Sequence, residues 1–306
     1  MISSRCVGLL SFVIALVAAA RSEAVDPSTA MLGQKVLPKE DCEVSVNGVV
    51  VNFRSLSFPL VVQNVNGPWL WVGDDRKGWV SRNHVVTLDE APAYYTRLIN
   101  RNPRNAWAYN FRAVAWRHRG DFDRAIADYN EKLKLQPTSV TYTNRGVAWE
   151  AKEDYGKAIA DHDQAIRLDP DNKIAYFNRG NSHGAKKDYT KAIADFNQAI
   201  RLDPNYSSPY KGLAWIYATC PDANFRDGTK AVRLAIRACE LSGWTDADKV
   251  STLAAAYAEA GEFEQAIKYQ EKAIDLKLGD VVLMKTAQDR LEVYRDKKPY
   301  RDSGQE

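Results

Sequence analysis

The chain has 306 residues, of which 45% are hydrophobic and 26% are charged, and its formal net charge is +3. This length accommodates about two domains, and the composition excludes an intrinsically disordered chain, which combines low hydrophobicity with high net charge. A net charge this close to zero gives no electrostatic basis for binding nucleic acid. No polybasic stretch favours a lipid surface either.

The first 24 residues have the pattern of a signal peptide, with a charged start, an apolar middle and small residues at the end. Residues 6–20 carry no charge, and a helix of that length, at about 1.5 Å per residue, is shorter than the ~30 Å core of a bilayer. Cleavage after Ala20 or after Ala24 fits the small-residue rule, and we favour Ala24. We therefore expect an exported protein, periplasmic or extracellular in a bacterium, without a stable membrane span after cleavage. An uncleaved anchor helix is the alternative.

Three cysteines would remain after cleavage: Cys42, Cys220 and Cys239. Export permits disulfides, and an odd number of cysteines leaves at least one thiol over. Cys220 and Cys239 fall on two segments of one predicted helical hairpin, which makes them the plausible disulfide pair. The alternative is that both are small hydrophobic residues of the core.

Residues 31–88 have the pattern of a small β domain. They are rich in Val, Trp and Gly, and the tight-turn pairs Asn47-Gly48 and Asn66-Gly67 separate apolar stretches. This spacing predicts about five short strands that close into a small barrel. The segment resembles a bacterial Src-homology-3-like domain in these residues: Gly33, Val36, Trp69, Trp71, Val72, Gly78, Trp79, Val80, Val85 and Val86.

That resemblance implies a domain that recognises peptides or cell-wall peptidoglycan. Trp69, Trp71 and Trp79 are the candidates for a binding face. Packing in the core is the alternative use of these side chains, and we expect at least one of them inside. A plain spacer role for the domain is a further alternative.

A repeat of 33 or 34 residues follows the β domain, since Pro137, Pro170 and Pro204 each close a similar helical pattern: KLKLQP, AIRLDP and AIRLDP. Upstream of them stand DRAIADYN, GKAIADHD and TKAIADFN. These units resemble the tetratricopeptide repeat, a pair of antiparallel helices that recurs about every 34 residues. The resemblance covers roughly residues 91–276.

The repeat motif places small residues where two helices approach closely and large residues in the spaces that the small ones leave. The small residues that match are Ala113, Ala125, Gly146, Ala158, Ala165, Gly180, Ala192, Ala199, Ala214, Ala231, Ala235, Ala238, Ala254, Ala266 and Ala273. The aromatic residues that match are Tyr109, Trp116, Tyr129, Tyr142, Trp149, Tyr176, Phe196, Tyr210, Tyr217 and Tyr257.

We therefore predict an α+β multi-domain protein, in which the small all-β barrel precedes an all-α superhelical solenoid. The solenoid covers residues 89–279, with about five repeats after a leading half-repeat, and residues 280–306 form a capping helix and tail. An insertion at 218–230 interrupts the fourth repeat. Its Phe225, Arg226 and Asp227 either contact a partner or cap and cover the hairpin.

His162 and His183 occupy two of the aromatic positions of the motif. His162 lies between Asp161 and Asp163, a pattern that suggests metal ligation, and a buried pair of His162 with His183 is conceivable. The repeat register instead makes both histidines substitutes for core aromatic residues. We predict no metal site and no cofactor. The sequence also lacks the nucleotide-binding, serine-hydrolase and zinc-protease motifs, so we predict no catalytic residues and no enzyme activity. An enzyme accessory or metal-dependent hydrolase is a rival of another class.

The repeat resemblance implies a concave groove, lined by the first helix of each repeat, that binds a protein or peptide. Asparagine amides can hydrogen-bond to a peptide backbone, and Phe or Trp can cover an apolar side chain. The candidate residues are Trp107, Asn110, Val114, Arg117, Asn144, Val147, Glu150, Phe177, Asn178, Asn181, Lys211 and Trp215. Packing between repeats is the alternative, above all for Phe177 and Trp215.

Some members of the repeat family clamp a terminal carboxylate, and Asn144 matches one clamp position. The lysine sites hold Asn110 and Ile174, so we do not predict carboxylate binding. The sequence as a whole predicts a non-enzymatic interaction scaffold, or adaptor, that binds a protein or peptide segment in its groove. The alternative is a cell-envelope protein that binds peptidoglycan through the barrel and uses the repeats as a scaffold.

Overall fold

The structure is a computed structural model, and it describes residues 31–39, 43–46, 49–52, 59–66, 69–72, 78–276 and 281–302. The chain divides into two units, Met1–Thr87 and Leu88–Glu306. The first is a β unit and the second is helical, which confirms the α+β class. The predicted signal peptide and Cys42 lie outside the described residues. Within them, every helix is too short or too polar to cross a membrane.

Over the described residues, seven strands form the sheet of the β unit. They are β1 Lys35–Pro38, β2 Glu43–Val46, β3 Val49–Asn52, β4 Leu60–Asn66, β5 Trp69–Val72, β6 Gly78–Ser81 and β7 Val85–Thr87. Their order is β3-β2-β6-β5-β4-β1-β7, and neighbours pair antiparallel.

The sheet is open over the described residues, so the prediction that the strands close into a barrel is wrong. Pairing runs from β3 at one edge to β7 at the other, and each edge strand pairs with a single neighbour among the described strands. A barrel needs a further pair that joins its two edge strands. Here the two edge strands do not pair with each other: among the described strands, β3 pairs with β2 and β7 pairs with β1.

The core of the β unit is aliphatic. Alternation along β5 and β6 turns Leu70 and Val80 to the buried face and the three tryptophans to the opposite one. Trp69 is 48% exposed, and Trp71 and Trp79 are half-buried. The expectation that at least one tryptophan lies in the core is therefore wrong.

Twelve α-helices are described in the second unit. They are α1 Ala91–Arg101, α2 Ala106–His118, α3 Phe122–Leu135, α4 Ser139–Glu150, α5 Tyr155–Leu168, α6 Lys173–Ala185, α7 Tyr189–Leu202, α8 Ser207–Thr219, α9 Gly228–Leu241, α10 Ala247–Glu259, α11 Phe263–Asp275 and α12 Val281–Arg295. Helices α2 to α11 pack as five successive hairpins, between α1 and α12.

Local sequence determines where most of these helices begin. An Asn, Asp or Thr precedes the helix and its side chain accepts a hydrogen bond from the first turn, which satisfies an otherwise unpaired amide. Asp121, Asp154 and Asp188 do this for α3, α5 and α7. Gly120 precedes the first of these caps at φ 76°, a left-handed conformation that glycine adopts without strain.

The motif's small residues are buried where helices meet. Ala125, Ala158 and Ala192 have no exposed surface. The ring of Phe196 lies between two glycines: a Cβ built on Gly180 would come within 2.7 Å of that ring, and one on Gly212 within 2.8 Å. Both glycines are therefore required by the packing of this aromatic ring.

An arginine ladder connects the first three repeats. Arg112, Arg145 and Arg179, each on a first helix, form bidentate pairs with an aspartate on the second helix of the same repeat: Asp128, Asp161 and Asp195. The third guanidinium nitrogen, Nη1, donates to the preceding hairpin or helix: Thr96, Asn130 and Asp163. Each arginine thus links its own repeat to the one before it.

Cys220 and Cys239 are both buried and both free. The predicted disulfide is therefore not formed, and both thiols pack in the hydrophobic core of the last two repeats. Burial raises the pKa of the Cys220 thiol and raises that of Cys239 to about 11. These cysteines are the small core hydrophobes of the alternative interpretation.

Candidate functional site

The first helices of the repeats are here called the wall, and those of the second to fifth repeats contact one another in turn. Helix α4 contacts α6, α6 contacts α8, and α8 contacts α10. All of the predicted groove residues lie on these first helices, on α2, α4, α6 or α8. The surroundings of these residues differ between the first repeat, the second and third repeats, and the fourth repeat, so the wall has three parts.

In the first repeat, the candidate groove residues pack against other side chains of the solenoid. The ring of Trp107 lies 5.5 Å from that of Tyr95 and 4.9 Å from that of Phe111, and Val114 is buried. Arg117 lies beside the hydroxyl of Tyr129, whose pKa is raised to about 12 by burial although the arginine lowers it. Here the candidate residues pack within the solenoid, Trp107 against α1 and Arg117 beside Tyr129 of α3.

Lys132 stands in the first repeat at a position where the motif has a small residue. Its Nζ donates to Asn110 Oδ1 over 3.0 Å. Burial lowers the pKa of Lys132 from 10.5 to about 8, because a partly desolvated ammonium with a neutral amide acceptor is disfavoured. Asn110 is therefore committed to this lysine.

This lysine gives a pH-dependent prediction. The unfolded chain binds a proton to Lys132 more tightly than the folded chain does, so the folded state is penalised below pH 8 and gains stability between pH 8 and 10.5. We expect Lys132→Met to raise the free energy of unfolding below pH 8 by up to about 3 kcal/mol, and we expect this gain to shrink as the pH rises through that window.

Urea titrations at a series of pH values would measure the gain. The matched control is Lys134→Met, which removes the largely exposed lysine two residues along and should give a small difference. A difference for Lys132→Met that is flat across the window would contradict the assignment.

The wall is open in the second and third repeats. Val140 is 61% exposed and Ile174 is 49% exposed. Asn144 and Val147 are half-buried, and Asn181 is exposed. These five residues, here called the open surface, occupy the second, sixth and ninth positions of α4 and the second and ninth of α6, which face the same side of a helix.

Two other candidates of the third repeat are less accessible. Asn178 is buried, and the ring of Phe177 lies 5.8 Å from that of Phe196 and 5.4 Å from that of Tyr206. Phe177 therefore packs between repeats. The sequence analysis did not select Val140 or Ile174 as groove residues, although each is the second residue of its helix, as the selected Trp107 is.

The fourth repeat is covered by the chain's own C-terminal segment. Trp215 Nε1 donates to Asp302 Oδ2 over 2.7 Å, and the ring of Tyr300 lies 6.0 Å from the indole. Lys211 forms an ion pair with Asp248, with 2.5 Å between Nζ and Oδ2. Each of the two predicted residues of this repeat, Trp215 and Lys211, therefore already has a partner within the chain.

Of the two histidines, His162 takes the core role that the repeat register implies. That side chain is fully buried, with Nε2 3.3 Å from Oε1 of Glu150, and the same oxygen accepts from Ser182 Oγ over 2.5 Å. His183 is half-buried, and desolvation lowers its pKa. Over the part of the chain that the structure describes, no three His, Cys, Asp or Glu side chains are arranged to hold a metal ion.

The insertion at 218–230 covers its own hairpin. Phe225 packs against Tyr189, with 5.5 Å between ring centroids. Asp227 caps α9. Arg226 donates to the carbonyl of Cys220 and to Glu259. Of the two interpretations left open by the sequence, these contacts favour capping.

Comparison with known families agrees with this architecture. Family profiles described as "Tetratricopeptide repeat" match residues 88–140, 174–206 and 251–280, and one described as "TPR repeat" matches residues 151–187. The helical unit is a tetratricopeptide-repeat solenoid. No curated protein matches the sequence significantly.

One of three similar solved structures aligns closely enough to show the same fold. A chain of the APC/C hetero-tetramer Cut9–Hcn1 aligns with a TM-score of 0.58 and 18% identity over 68% of this chain and 39% of its own length. YrrB, described as a TPR protein with an unusual peptide-binding site, aligns with a TM-score of 0.46 and 22% identity over 64% of this chain and 97% of its own. The TPR domain of Arabidopsis OM64 aligns with a TM-score of 0.35 and 25% identity over 35% of this chain and 89% of its own.

Proposed function

We propose that the tetratricopeptide-repeat solenoid is a non-catalytic interaction scaffold, which holds an extended protein or peptide segment on the open surface of its second and third repeats. The observation that carries this proposal is the exposure of Val140 and Ile174 on two neighbouring first helices. Large apolar side chains at equivalent positions of adjacent repeats form the kind of patch that protein partners cover.

The polar members of the open surface specify the form of the partner. Asn144 stands one helical turn beyond Val140, and Asn181 stands two turns beyond Ile174. A carboxamide donates and accepts hydrogen bonds, so it suits both groups of a peptide backbone. An extended segment with apolar side chains is therefore the partner that this combination fits, and neither a cofactor nor a charged end group is needed.

Peptides selected from a displayed library on the full chain would test the proposal. We expect them to bind a Val140→Ser and Ile174→Ser double variant at least about tenfold more weakly, since each lost aliphatic contact contributes about 1 kcal/mol or more. The matched control is Leu135→Ser with Leu168→Ser, which removes two exposed leucines from the ends of second helices. Equal binding by the wild-type chain and the first variant would contradict the proposal. Equal losses in both variants would move the site to the connections between repeats.

A second candidate function rests on the tryptophan face of the β unit. Trp69 is exposed, and Trp71 and Trp79 form an edge-to-face pair with 5.2 Å between ring centroids on the same side of the sheet. An exposed indole can stack on a sugar ring, and this supports peptidoglycan as the ligand of the β unit. The proposal includes export of the protein from the cell. Co-sedimentation of the full chain with purified peptidoglycan tests it, and Trp69→Ala should abolish that binding while peptide binding stays unchanged.

A further inference from the structure

The segment that follows α12 turns back onto α8. The chain reverses at Lys297, which has a left-handed φ of 54°, and Lys298 N donates to the carbonyl of Val293 over 3.1 Å, the pattern that closes a helix end. Beyond this turn the backbone of Asp302 donates to the carbonyl of Thr219 over 3.0 Å. The segment is thus joined to the last residue of α8 by a main-chain hydrogen bond.

Three successive side chains of this segment each have a partner of a different chemistry. The ring of Tyr300 lies against Trp215, and the guanidinium of Arg290 lies 4.7 Å from the centroid of each ring. Arg301 forms an ion pair with Glu259 at 2.6 Å. The carboxylate of Asp302 accepts from Trp215 Nε1 over 2.7 Å.

This combination of contacts is how proteins recognise short peptides: backbone hydrogen bonds hold the segment, and separate side-chain contacts specify its sequence. The position supports the same conclusion. Trp215 is the ninth residue of α8, equivalent to Val147 on α4 and Asn181 on α6, and both of those belong to the open surface. The segment therefore lies on the face that is open in the earlier repeats.

We propose that Trp215, Thr219 and Glu259 form a second peptide-recognition site, specific for an aromatic, a basic and an acidic residue in succession. Residues Tyr300–Asp302 occupy it within the same chain, as an internal ligand that a partner carrying such a sequence displaces. This site is separate from the open surface and its test does not use that surface, so failure of one proposal leaves the other intact.

The first experiment compares two forms of the full chain. The probe is a fluorescent peptide of residues 297–302, KKPYRD, with a C-terminal amide, and fluorescence anisotropy measures its binding. We expect a Tyr300→Ala and Asp302→Asn variant to bind it at least about tenfold more tightly than the wild-type chain, because a tethered segment competes as if it were at roughly millimolar concentration. The control variant, Asp296→Asn with Lys298→Ala, changes exposed charges on the same segment and should behave like the wild-type chain.

Peptide variants then test the specificity without altering the fold. Against the released variant, KKPYRN and KKPARD should each bind about tenfold more weakly than KKPYRD, since a charge-assisted hydrogen bond or an aromatic contact is lost. The proposal is overturned if the released variant does not bind KKPYRD, if all three peptides bind equally, or if release does not change the affinity. A wild-type dimer that the tail substitutions dissociate would show that the segment reaches a second copy and would overturn occupation within one chain.

Discussion

Replacing Asp161 by alanine should lower the free energy of unfolding by about 2 to 3 kcal/mol. The Asp161 side chain is 7% exposed and that of its partner Arg145 is 21% exposed, with hydrogen bonds of 2.8 and 2.6 Å between the guanidinium and the carboxylate. Removing the carboxylate leaves a mostly buried cation with neutral partners, which include the Asn130 amide and the Tyr142 ring at 5.5 Å. The residual exposure of Arg145 keeps the loss below that of a fully buried pair.

The matched control is Glu131→Ala, which breaks the ion pair with Lys134 on the surface of α3. Those side chains are 46% and 69% exposed, so we expect a change within about 0.5 kcal/mol. A double variant, Arg145→Met with Asp161→Leu, should recover most of the loss because no charge is left unpaired. Urea denaturation followed by circular dichroism measures all three. Equal effects of Asp161→Ala and Glu131→Ala would show that the arginine ladder contributes no more than surface pairs do.

Replacing Gly180 by alanine should destabilise the solenoid by about 1 to 3 kcal/mol, although alanine normally stabilises the middle of a helix. The new Cβ would lie 2.7 Å from Phe196 Cε1 and 3.3 Å from the carbonyl oxygen of Ala192. The Phe196 ring cannot move aside freely, because Gly212 of the next repeat approaches it from the other direction. The clash therefore has to be relieved by moving α6 and α7 apart.

Gly184 provides the control on the same helix. A Cβ built there meets no atom within 4 Å, so Gly184→Ala should be neutral or stabilise by about 0.5 kcal/mol through helix propensity. The same substitution is thus expected to destabilise the solenoid at Gly180 and not at Gly184, four residues along the same helix. Thermal melting of the two variants measures the difference, and a stabilising Gly180→Ala would mean that the hairpin packs differently.

Much of the helical fold could be predicted because its rules are local. Proline spacing, capping residues such as Asp154 and the alternation of small and large side chains each act within one repeat or between neighbours. The arginine ladder also left a sequence signal, in the Asn-Arg-Gly of α4 and α6 and in the Ile-Ala-Asp of α3, α5 and α7. The sequence analysis used the second-helix motif for repeat register alone, since its pairing with the arginine requires the two helices to pack side by side.

The β unit was predicted less completely. Turn pairs and alternation indicated short strands, but the closing partner of each strand depends on contacts between distant segments. Strand β1 pairs with β7 about fifty residues along the chain, through Leu37 and Val86. Short strands of similar composition leave that choice open in the sequence, and the aliphatic residues Leu70 and Val80 fill the core in place of a tryptophan.

The sequence by itself determined which residues line the first helices of the repeats, because helical periodicity and repeat register are properties of adjacent residues. Only the tertiary structure decided which of those residues remain accessible. Val140 and Trp215 both stand on first helices, yet the first is open and the second bonds to Asp302, 87 residues along the chain. Accessibility depends on what packs over a side chain, and no local pattern carries that information.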